Sequence, residues 1–119
     1  VVADLPLSQR LAELAWQTYP SFGQGALASL MGTLEAARVG GSSKKAEQFF
    51  DQAIALGQGK EAGPWVAKAE SIALAQQNRE RFEQWLQQAI KVSQQHRSLQ
   101  NEVMRQRAQW LLLTVDDLF

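Results

Sequence analysis

Glu70 falls between Val66, Ala73 and Leu74, on the apolar side of a stretch with helical periodicity. A carboxyl group there is either a general acid or base with a raised pKa or one arm of an ion pair that fixes how two helices pack. The chain offers no serine–histidine pair and no second carboxylate at a catalytic spacing, so the structural role is the reading taken. His96 is the only histidine and lies in the polar connection QQHRS. No further His, Asp or Glu is spaced to complete a metal site around it. The loop GQGKEAG, residues 57–63, superficially suggests a phosphate loop. A P-loop needs glycine five residues before its Gly-Lys pair and Ser or Thr after it, and those positions hold Ile54 and Glu61. Asp116 and Asp117 fall in a last helical turn, where negative charge opposes the helix dipole, and are expected to be solvated. These residues together predict no catalysis, no metal and no cofactor.

The four tryptophans sit on four different helices: Trp16, Trp65, Trp85 and Trp110. Tryptophan marks core packing and also interface hot spots. Trp110 and Leu113 lie off the main apolar face of the last helix. Trp65, Trp85, Trp110 and Leu113 are the candidates for a partner or ligand surface.

The elements that position these residues follow from apolar spacing and from Gly and Pro stops. Six helices are expected, over 8–19, 23–39, 43–57, 64–77, 79–94 and 99–118, with no strand alternation. Pro20 stops the first, Gly40-Gly41 ends the second, and Ser42 or Ser43 caps the third. Pro64 suits a first helical turn, and Asn78 caps the fifth helix. Leu7, Leu11, Leu14 and Ala15 are expected inward on the first helix. On the second, Gly25, Ala28, Gly32 and Ala36 form a small-residue stripe, and Gly32 predicts close approach of another helix backbone. In the third, Ala46, Phe50, Ala53 and Leu56 share one face. The same pattern returns at Phe82, Leu86, Ala89 and Val92, a step of 36 residues from Ala46 to Phe82 (82 − 46), near the roughly 34 of a tetratricopeptide repeat. The fold expected is all-α: six antiparallel helices in stacked tetratricopeptide-like hairpins, residues 1–119 forming a single domain. Arg107, with Arg105 second, is the expected partner of Glu70, docking the last helix on the fourth.

Lysine and arginine total 12 and aspartate and glutamate 12. This balance argues against nucleic acid, whose binding rests on a basic surface. The absence of cysteine excludes disulfides and thiolate chemistry. No apolar run is long enough to span a bilayer. The chain starts at Val1 without a basic segment leading into an apolar one, and is read as a mature or trimmed piece.

Several stretches resemble one family. GGSSKKAEQFFDQAIALGQGKEAGPWV (40–66) and FEQWLQQAIKV (82–92) are similar to hairpin elements of the T component of tripartite ATP-independent periplasmic (TRAP) transporters. YPSFGQGA (19–26) is similar to that family's hairpin turn. NEVMRQRAQWLLLTVDDLF (101–119) resembles its C-terminal signature of Asn, Arg-Ala, Trp-Leu-Leu and Asp-Leu-Phe. The resemblance implies an exported helical-repeat protein without catalytic residues, of which this chain is the C-terminal part. It implies a periplasmic location, with a lipid anchor in an N-terminal region not present here. It also implies an accessory of solute uptake that binds the substrate-binding subunit. The alternative is a periplasmic carrier of a small apolar or organic-acid ligand held between hairpins. A homo-oligomer is left open.

Overall fold

The structure, a computed structural model, describes residues 5–19 and 22–119. Among them every regular element is helical. Helix α1 spans Leu5–Thr18 and a 3₁₀ turn spans Phe22–Gly25. Then come α2 (Ala26–Ala37), α3 (Ser43–Leu56), α4 (Gly63–Lys68) continued by a π-helical segment (Ala69–Ala73), α5 (Arg79–Gln95), α6 (Leu99–Leu113) and α7 (Val115–Leu118). The most extensive packing is α2 on α3 and α5 on α6. The stop assigned to Pro20 falls outside the described residues, as does the side chain of Leu7.

Capping works as the residue types dictate. Ser42 accepts from Lys45 N–H at 3.2 Å, Asn78 from Arg81 N–H at 3.1 Å, and Ser98 from Asn101 N–H at 3.0 Å, each satisfying a helix-start donor. One core runs through α3, α4, α5, α6 and α7, and Phe50, Ile72, Phe82 and Leu86 are its largest fully enclosed side chains.

Two glycines set how α2 meets α3. A Cβ on Gly25 would stand 2.4 Å from the Ala53 carbonyl oxygen, and φ there is +104°. This is the backbone approach expected of Gly32. Gly32 instead lies under the Phe50 ring, three of whose carbons would be 3.0 Å from an added Cβ. The small-residue stripe therefore does two jobs: one glycine admits a backbone, the other an aromatic face.

Other elements depart from expectation. Leu11 and Leu14 are exposed, and among the described side chains of α1 Ala12 is the buried one. The reason is that α1 packs chiefly on α2, with Trp16 meeting Phe49 of α3 edge-on at 5.5 Å, so only a narrow edge is covered. The expected fourth helix changes pitch at Ala69, where Leu74 N–H reaches back five residues to the Ala69 carbonyl at 3.0 Å. The expected sixth helix breaks at Thr114, giving seven α-helices rather than six among the described residues. The Thr114 hydroxyl donates to the carbonyls of Trp110 (3.1 Å) and Leu111 (3.3 Å), a side-chain competitor for helix acceptors. The bend turns Val115, Leu118 and Phe119 onto the core, where Phe119 meets Phe82 edge-on at 5.2 Å. Asp116 now opens α7 instead of closing α6, so its charge suits the dipole. It accepts from Arg79 at 2.7 Å, where free solvation was expected.

Among the described side chains the buried carboxylate is Glu35, not Glu70. Glu35 is 7 % exposed. It accepts from Arg38 at 2.8 and 3.2 Å and from Ser42 N–H at 3.1 Å, closing the turn between α2 and α3. The Arg38 guanidinium holds its carboxyl below the usual range, helped by the Ser42 amide against burial.

Candidate functional site

Helix α6 is apolar on two opposite sides. Ala108, Leu111 and the partly covered Met104 and Leu112 face the core. Leu99, Val103, Trp110 and Leu113 lie on the other side and are 78, 51, 55 and 85 % exposed. Large apolar side chains aligned in water on one helix mark a docking face more often than isolated ones do. This face holds Trp110 and Leu113, two of the residues singled out from the sequence.

The other two candidates sit elsewhere. Trp85 is 8 % exposed and belongs to the core. It is covered by the Lys68 ammonium at 4.5 Å and the Arg81 guanidinium at 4.7 Å from its ring centre, so it offers no surface to a partner. Trp65 is half-buried, with Lys68 at 5.4 Å. Lys68 is itself buried. Its ammonium donates to Asp51 at 2.9 Å and stands 3.6 Å from Glu47, which also accepts from Arg81 at 3.0 Å. Three helices, α3, α4 and α5, are thus joined by alternating charges and indole rings. Sequence reasoning missed Lys68, since the one acid on its expected helix, Glu70, lies two residues on and does not face it.

Glu70 meets Arg107 through two parallel bonds, Nε to Oε1 at 2.6 Å and Nη2 to Oε2 at 2.7 Å. The carboxylate raises the Arg107 pKa. Arg105 turns away and pairs with Glu102 one helical turn earlier. The Glu70–Arg107 pair is not buried: the side chains are 28 and 48 % exposed. Water therefore screens it, and its geometry serves orientation more than stability. A double-mutant cycle with Glu70→Gln and Arg107→Met is expected to give a coupling of about 1 kcal/mol or less by urea unfolding. A coupling of several kcal/mol would show a desolvated pair.

The head of α6 is held by Asn101, which is buried. Its Oδ1 accepts from Ala62 N–H at 3.0 Å, and its Nδ2 donates to the carbonyls of Lys60 (2.8 Å) and His96 (2.6 Å). One side chain ties the loop before α4 and the loop before α6 together. His96 contributes its backbone there. No group of acids and histidines able to hold a metal exists among the described residues. Beside Asn101 a groove of about 840 Å³ runs between the starts of α2, α4 and α6, lined by Ala26, Ser29, Pro64, Leu99, Val103 and Met104 among others. No described helix is long and apolar enough to cross a membrane.

The model of the family described as TRAP transporter T-component matches residues 1–119. No curated protein and no solved structure matches the chain.

Proposed function

Because the chain belongs to the TRAP transporter T-component family, we propose that it serves a TRAP-type solute uptake system as a non-enzymatic accessory, docking on the substrate-binding subunit in the periplasm. In this reading its helices stack as tetratricopeptide-like hairpins, an arrangement suited to presenting surfaces to protein partners. The observation that carries the reading is the apolar side-chain area left in water on separate elements: Leu11 and Leu14 on α1, Tyr19 just after it, Leu30 on α2, and the outer face of α6. An accessory that holds other proteins needs such surfaces; a self-sufficient carrier does not.

The test is binding of the purified substrate-binding subunit to the immobilised chain. The wild type is expected to retain it, and the double variant Leu11→Glu/Leu14→Glu to lose most of that retention with its circular dichroism unchanged. No retention by the wild type, or equal retention by the variant, would overturn the reading. The carrier alternative draws on the 840 Å³ groove, whose size lies within the roughly 300–1,000 Å³ of ligand sites. It is the weaker reading, because the groove stands open to water instead of enclosing its contents.

A further inference from the structure

The outer side of α6 and the groove at its head form one continuous surface, because Leu99 and Val103 belong to both. Gln100 and Val103 line the groove, and Arg107 follows Val103 at a step of four. The groove and Arg107 therefore lie along the same edge of α6. Leu99, Val103, Trp110 and Leu113 stand at steps of four, seven and three. Apolar residues at heptad spacing are matched by a second helix laid alongside, whereas a strand, with its period of two, falls out of step. From Leu99 to Leu113 the row is about 21 Å long at 1.5 Å per residue, about four turns of a docked helix.

Charge along this edge is ordered. At the head of α6, Glu61 lines the groove. It is held there because the Lys60 carbonyl and the Ala62 amide, on either side of it, are bonded to Asn101. Arg107 comes six residues after Asn101, about 9 Å further along. A guanidinium has five N–H groups. Glu70 takes two of them and fixes the plane of the fork, and the rest belong to a side chain that is 48 % exposed. The other edge of α6 makes no such demand, since both oxygens of Glu102 already accept from Arg105. A helix that fits this surface carries opposite charges on one flank of its apolar stripe, basic over Glu61 and acidic over Arg107. One heptad of a helix spans about 10.5 Å, close to that separation.

We propose that the Arg107 edge of α6 binds an amphipathic helix of another protein, with a basic and an acidic residue one heptad apart on one flank of its apolar stripe. Such a helix is not tied to the substrate-binding subunit, and its binding is measured with synthetic peptides, so failure here leaves the docking reading untouched.

The probes are two synthetic peptides of about three heptads, stapled so that they stay helical when free. They share a leucine stripe and a lysine placed over Glu61. They differ only in the residue over Arg107, glutamate in one and lysine in the other. Calorimetric titration of the wild type is expected to favour the glutamate peptide by about tenfold. Arg107→Glu is expected to reverse the preference, and Trp110→Ala to weaken the glutamate peptide by about tenfold, each with circular dichroism unchanged. Equal affinity for the two peptides, a preference that Arg107→Glu leaves in place, or full affinity in Trp110→Ala would overturn the proposal. Binding of neither peptide would overturn it as well. If Trp110→Ala then also lowered the sedimentation coefficient of the chain alone, the face would belong to a second copy.

Discussion

Phe50→Ala is expected to lower stability by about 3–5 kcal/mol, the range for a large aromatic removed from a core that cannot collapse. Phe50 is fully enclosed. Its ring lies on Gly32 and joins Ala46, Val66, Phe82 and Leu86 in the core. The backbones on either side are held apart by contacts that do not depend on the ring. At Gly25 the α2 start already stands against the Ala53 carbonyl, so α2 cannot slide inward to fill the space. The cavity therefore stays largely open. Urea unfolding followed by circular dichroism measures the loss through the transition midpoint at unchanged slope. A loss below about 1 kcal/mol would mean that α3 turns this face to solvent.

Asn101→Ala should cost about 2–4 kcal/mol, because it orphans three backbone groups at once. The Ala62 amide is the most expensive of them, since Ala62 is fully buried and no water reaches it in the Asn's place. The Lys60 and His96 carbonyls lie nearer the surface and recover part of their bonding from solvent. Asn101→Asp separates the terms: it keeps an acceptor for Ala62 N–H and removes both donors, setting a charge against two carbonyl oxygens. Hydrogen exchange at the Ala62 amide checks the assignment. Exchange should accelerate strongly in Asn101→Ala and stay closer to wild type in Asn101→Asp. Unchanged protection at Ala62 in Asn101→Ala would remove the basis of this prediction.

How far the sequence led depends on whether a residue's surroundings lie on its own helix. The buried faces of α3 and α5 were legible because Ala46, Phe50 and Ala53, like Phe82, Leu86, Ala89 and Val92, repeat at helical spacing and each helix is covered on one side only. The caps Ser42 and Asn78 are local chemistry and need no tertiary knowledge; the cap at Ser98 is as local and was passed over as part of a polar connection. Residues answered by distant elements were not legible. Glu35 looks like an ordinary surface acid until the chain turns at Arg38 and brings the Ser42 amide back onto it. Lys68 reads as solvated until α3 supplies Asp51 and Glu47 and α5 supplies the Trp85 ring. The change to π pitch at Ala69 leaves no periodic mark, because one extra residue in a turn shifts phase without changing composition. The same absence of phase information put Glu70 on a buried face, whereas its pair with Arg107 lies at the surface. Leu11 and Leu14 failed for the opposite reason: their spacing is right for a covered helix, but α1 has too few neighbours to cover them.

The unequal placement of Trp85 and Trp110 has an optical consequence. An indole shut away from water emits at shorter wavelength than one bathed in it. Trp85, closed under Lys68 and Arg81, should shine at the blue end of the protein's fluorescence, and Trp110, on the open side of α6, at the red end and within reach of dissolved quenchers. Loss of the core moves the first colour toward red. Covering of α6 by another molecule moves the second toward blue and shields it from quenching. The protein thus carries two native lamps that shift in opposite directions, one for unfolding and one for association.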